Sequence, residues 1–121
     1  MQTWWSLVWA GKLATPCSVH FDNFGVTMVQ SSTTVQLGWQ QISAVFAYKR
    51  DCVFLDQICV VLVDESRQIS IQVAEEDDVY RELISELPSR LHGCLPLEVW
   101  WPRVVLPAFE TKWTRLYSNA V

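Results

Sequence analysis

The sequence predicts an α+β fold, an antiparallel sheet followed by a helix, and three observations carry that prediction. Apolar residues alternate with period two through most of 24–73, then switch to three- and four-residue spacing over 79–91. The length, 121 residues, suits one domain and suffices to bury a core without disulfides or metal. Half the residues are apolar and only 18% are charged, the balance of a packed chain rather than a disordered one. Residues 1–121 are therefore read as a single domain, with a core at 17–93 and a packed extension at 94–121.

The first strand lies in "HFDNFGVTMVQ", where Phe24, Val26 and Met28 alternate with Gly25, Thr27 and Val29 behind the turn formers Asp22 and Asn23. A polar "SSTT" turn leads into "TVQLGWQ", which sets Val35, Leu37 and Trp39 on one face and completes a hairpin. "ISAVFAYK" continues as a strand, with Ile42, Ala44, Phe46 and Tyr48 opposite Val45 and Ala47. "QICVVLVDE" is apolar on both faces, as a strand in the middle of a sheet should be. Across "DESRQ", the segment "QISIQVA" turns Ile69, Ile71 and Val73 inward and Ser70 and Gln72 outward.

At "EEDDVYRELISELPSRLHG" the period becomes helical, through Val79, Tyr80, Leu83, Ile84, Leu87 and Leu91. Asp77 or Asp78 is the expected N-cap, Pro88 the expected kink or break, and Gly93 the close. The remainder, punctuated by Pro96, Pro102 and Pro107, reads as irregular extended chain with one short helix near Leu97–Trp101. Six of the seven tryptophans (Trp4, Trp5, Trp9, Trp100, Trp101, Trp113) lie toward the two ends, so both ends are expected to be tied down against the sheet or a partner.

The net charge of −4 disfavours nucleic acid or an anionic membrane as the main partner. Between Asp64 and Glu86 eight acids face only Arg67 and Arg81. They form either a solvated helix face with an acidic helix start, or a patch that meets a basic protein surface. "MQTWWSLVWAGKLATP" lacks the basic start of an export signal. Residues 44–63 are long enough to cross a membrane, but Lys49, Arg50, Asp51 and Asp56 would cost on the order of 10 kcal/mol there. The expectation is a soluble, cytoplasmic protein. Cys17, Cys52, Cys59 and Cys94 match no zinc spacing and are expected to be free thiols.

Little in the chain points to catalysis. The glycines, at 11, 25, 38 and 93, are too scattered for a phosphate loop. His20 and His92 supply no metal set, and His92 beside Cys94 is no recognised dyad. No catalytic, cofactor or metal residue is assigned. Asp51 and Asp56 are the one pair open to acid–base work, although Lys49 and Arg50 beside them favour ionised, structural carboxylates. The candidate interaction residues are thus Lys49, Arg50, Asp51 and Asp56, together with Trp100, Trp101, Arg103 and Trp113, since Trp and Arg dominate binding hot spots.

The segments "ISAVFAYKRDCVFLDQICVVLV", "EEDDVYRELISELPSRLHGCLP" and "WW...V..PAF" resemble a group of small, uncharacterised bacterial proteins. In these a strand ends in AYKRD, the next opens D-x-IC, and an acidic helix ends LP-x-RL-x-G; the likeness covers about residues 17–117. The resemblance implies a pleckstrin-homology or GRAM-like fold, a curved antiparallel sheet (partial barrel) capped by one C-terminal helix, here with a Trp-rich C-terminal extension. The function expected is non-catalytic binding of a partner protein with a basic surface, in the manner of a toxin-neutralising immunity protein. The alternatives are a lipid or membrane-surface module of the pleckstrin-homology kind, an enzyme using Asp51 and Asp56, and a homo-oligomer formed through the Trp-rich ends.

Overall fold

The structure, a computed structural model, describes residues 17–52, 55–105 and 113–119. They form two antiparallel sheets and two α-helices, an α+β architecture in which the strands do not close into a barrel. β1 (Cys17–Phe21), β2 (Gly25–Gln30) and β3 (Thr33–Gly38) make a three-stranded meander. β4 (Ala44–Cys52), β5 (Leu55–Asp64), β6 (Ile69–Ala74) and β7 (Thr114–Ser118) make a second sheet in the order β6-β5-β4-β7. The strand expected to sit mid-sheet, "QICVVLVDE", is β5, one of the two inner strands.

Local chemistry explains each connection. At the β1–β2 turn the Asp22 carboxylate accepts the backbone N–H groups of Phe24 (2.8 Å) and Gly25 (3.2 Å), an Asx turn. Phe24, expected within the strand, is instead at this turn and 80% exposed. Gly25 then pairs with Gly38 across β2–β3, and the backbones approach so closely that a Cβ on Gly25 would lie 2.0 Å from the Leu37 carbonyl oxygen. β3 ends at Gly38, so Trp39 sits in a single 3₁₀ turn, Trp39–Gln41, not in the strand. Its indole N–H still ties back to the Asp22 carbonyl at 2.9 Å. After β5, Asp64 accepts from Ser66 Oγ (2.7 Å) and Arg67 Nε (2.6 Å), closing the turn into β6.

Helix α1 spans Tyr80–Arg90 and buries Leu83, Ile84 and Leu87. Its N-cap is Val79, without a side-chain cap, where Asp77 or Asp78 was expected. Asp77 bonds backward instead, accepting the Ala74 N–H at 2.8 Å and so locking the β6–α1 turn. Pro88 neither ends nor breaks the helix, because it falls in the last turn and Leu91 N–H still reaches the Leu87 carbonyl at 2.8 Å.

The chain after Gly93 departs most from expectation. A second helix, α2, runs Leu97–Val105 through Pro102, and β7 adds to the edge of β4. The expected short helix near Leu97–Trp101 is therefore extended through Pro102 to Val105, and the irregular chain expected after it is corrected to include a strand. Trp100 (1% exposed) and Val104 (0%) belong to the same core as Leu83 and Leu87, so both helices and the meander close over one face of the four-stranded sheet. Among the described residues no helix is long and apolar enough to cross a membrane.

Candidate functional site

The sequence-predicted residues fall in three places. Lys49 and Arg50 lie on β4, the first buried and the second half-buried. Lys49 is 3% exposed, and its ammonium donates to the Val105 carbonyl at 3.2 Å, stapling the end of α2 to the sheet. The Arg50 guanidinium donates to Gln57 Oε1 on the facing strand. Asp51 and Asp56 are register partners at the end of this hairpin, so the backbone does bring the two acids opposite each other. Their side chains lie outside the described set.

The tryptophans and Arg103 do not form one cluster. Trp100 is core, tilted against Trp101 with ring centroids 6.1 Å apart. Trp113 lies on the other face of the four-stranded sheet, stacked on Tyr48 at 4.2 Å and edge-on to Phe46 at 6.3 Å. Arg103 is exposed on α2, and Trp101, half-buried, lines a cavity.

That cavity is a groove of about 970 Å³ between α1 and α2. One bank comes from the β6–α1 turn and α1, with Glu75, Asp77, Asp78, Tyr80 and Arg81; the other comes from Pro96, Leu97 and Glu98 at the start of α2. Ile84, Pro88, Trp101 and Pro102 supply an apolar lining, and Leu97 is 41% exposed beside it. Four carboxylates stand over this lining against one arginine, Arg81.

The acids are not equivalent. Glu75 Oε1 accepts the Ile58 N–H at 3.1 Å, and Asp77 holds Ala74, so these two secure the fold. Asp78 and Glu98 make no hydrogen bond or ion pair among the described residues. Each stands at the start of a helix, where the positive end of the helix dipole favours a carboxylate. The Tyr80 hydroxyl is buried without a hydrogen-bond partner, and burial, then the nearby Glu75 charge, raises its pKa. It therefore stays neutral at physiological pH.

Cys94 is 6% exposed, and burial pushes its thiol up to about 11, so at neutral pH it is a thiol rather than a nucleophilic thiolate. Among the described residues no three His, Cys, Asp or Glu side chains converge to hold a metal ion.

Sequence reasoning found the acidic stretch but missed the groove. Its second bank depends on Leu97–Val105 being helical through Pro102, and that proline concealed how far the helical spacing of Leu97, Trp100, Trp101 and Val104 runs. The chain matches no family model, no curated protein and no solved structure.

Proposed function

We propose that this protein is a non-catalytic binding module whose ligand is another protein, taken in the groove between α1 and α2. The observation that supports this reading best is the groove's composition. Apolar side chains line it, carboxylates stand along both banks, and Leu97 remains exposed at its edge. A surface of that kind matches a partner that brings apolar and basic side chains together. A toxin-neutralising immunity protein is the specialisation that fits, since such a protein needs an acidic face for a basic toxin and no chemistry of its own.

The pleckstrin-homology or GRAM-like kinship belongs to the same proposal, supported by antiparallel sheets closed by helices along one face. The lipid-binding variant of that kinship has weaker support. Lys49 and Arg50, the cations a headgroup pocket would use, already donate to Val105 and Gln57.

Affinity capture from the native cell, run in parallel with the wild-type chain and with Glu98→Lys, tests the reading. A protein retained by the wild type and lost with the variant supports it. A protein retained equally by both removes the groove as the binding surface. Co-sedimentation with anionic vesicles at low salt, if it carried the protein down, would favour the lipid module instead.

A further inference from the structure

Resting on that protein-binding reading, we infer that the occupant of the groove is a short amphipathic segment bearing lysine or arginine beside apolar side chains. We further infer that Asp78 and Glu98, one on each bank, are the residues that recognise it. The acids divide by what already holds them. Glu75 and Asp77 accept backbone N–H groups at 3.1 and 2.8 Å, and their loss would disturb the β6–α1 turn. Asp78 and Glu98 are engaged by no hydrogen bond or ion pair among the described residues, so their charge faces the groove and solvent.

Charge complementarity selects a cationic ligand, because a net acidic groove repels phosphates and carboxylates. The apolar lining then excludes a simple polyamine as the best fit, since it would leave Ile84, Trp101 and Leu97 uncovered. A peptide segment satisfies both demands. Its aliphatic side chains cover the lining, and the stem of a lysine or arginine lies along Trp101 while the cationic head reaches the rim.

The test is fluorescence anisotropy of a fluorescein-labelled peptide, Leu-Lys-Leu-Leu-Lys-Leu, titrated with the full chain at low salt. An analogue with norleucine in place of both lysines serves as the peptide control. On the protein side Glu82→Lys is the control, because Glu82 is an exposed acid of α1 outside the groove lining and the change in net charge is the same. Asp78→Lys and Glu98→Lys are each expected to weaken binding about tenfold and Glu82→Lys less than about twofold, with similar small drops in melting temperature because all three stand at a helix start. Added salt is expected to weaken the wild-type complex.

Equal losses in all three variants would overturn the inference, as would undiminished binding of the norleucine analogue. A concentration-dependent dimer blocked by the groove variants would give the groove to a second copy and also overturn it. If capture from the cell finds a protein lost with Glu98→Lys while the lysine peptide fails to bind, the protein-binding reading stands and the inference alone falls.

Discussion

The two faces of the four-stranded sheet are both buried, yet they are built differently. Alternate residues of β5 divide between them: Ile58, Val60 and Leu62 face one core, Cys59, Val61 and Val63 the other. The first face is aliphatic and is closed by Leu83, Leu87, Trp100 and Val104. The second mixes small residues, Ala44 and Ala74, with an aromatic stack, Tyr48 on Trp113, and holds the buried amides Gln57 and Gln72. Antiparallel sheets commonly leave one face to water. Here burial of the second face brings polar groups inside, so its stability depends on pairing hydrogen bonds as well as on area.

The largest expected difference follows from deleting one indole on each face. Trp100→Ala empties a site that is 1% exposed in the aliphatic core, and the expected loss is about 3–5 kcal/mol. Trp113→Ala removes a half-buried ring stacked on Tyr48, and the expected loss is about 1–2 kcal/mol. Urea unfolding of the two variants measures the contrast. Equal losses would show that the second face carries as much of the stability as the first.

This contrast also marks what the sequence could disclose. β5 was legible because an uninterrupted apolar run has no polar face to offer water, and the shift from period two to helical spacing marked α1 with equal clarity. The second helix was legible only near Leu97–Trp101, because Pro102 inside Leu97–Val105 argues locally against continuing it. Packing of Trp100 and Val104 into the core overrides that local preference. Gln72 was expected to face water from its alternation with Ile71 and Val73, but alternation assigns a face and does not say whether that face is covered. The burial of Lys49 was hidden for a related reason. Its charge is legible, whereas the Val105 carbonyl that receives it lies 56 residues away in sequence.

Each limb of the pH profile has a cause in a different part of the sheet. The Asp64 carboxyl, at the end of β5, is held below its usual range first by the Arg67 hydrogen bond and then by Ser66, against the opposing effect of burial. Its folded pKa lies below the unfolded value, so its contribution is complete above about pH 4 and is lost as pH falls through the folded value. Asp64→Asn is expected to lower stability at pH 7 by about 2 kcal/mol and to flatten the acid limb. A variant as acid-sensitive as wild type would remove Asp64 as the cause. At the alkaline end, burial raises the pKa of Tyr48 on the second face and of Tyr80 beside the first. Both hydroxyls favour the folded state while neutral, so stability is expected to decline from about pH 10 upward, as unfolded tyrosine begins to ionise. The Tyr80→Phe and Tyr48→Phe variants should each shallow that decline.

The smallest effect gives the sharpest test, because among the described residues each face carries a buried polar atom without a partner. The Tyr80 hydroxyl has none, so Tyr80→Phe removes an uncompensated group and leaves nothing else unpaired. Stability at neutral pH is expected to rise by up to about 1 kcal/mol. The Gln72 amide nitrogen is likewise unpartnered, but its amide oxygen accepts the Tyr48 hydroxyl at 3.0 Å. Gln72→Met therefore relieves that orphan but takes the Gln72 acceptor away from the Tyr48 hydroxyl. It is expected to lower stability by about 1 kcal/mol, and Tyr48→Phe is expected to cost less when added to Gln72→Met than in the wild type. A double-mutant cycle by urea unfolding reads the coupling directly. Additive losses would show that the Tyr48–Gln72 bond does not organise the second face, and the contrast between the two faces would reduce to one of apolar area.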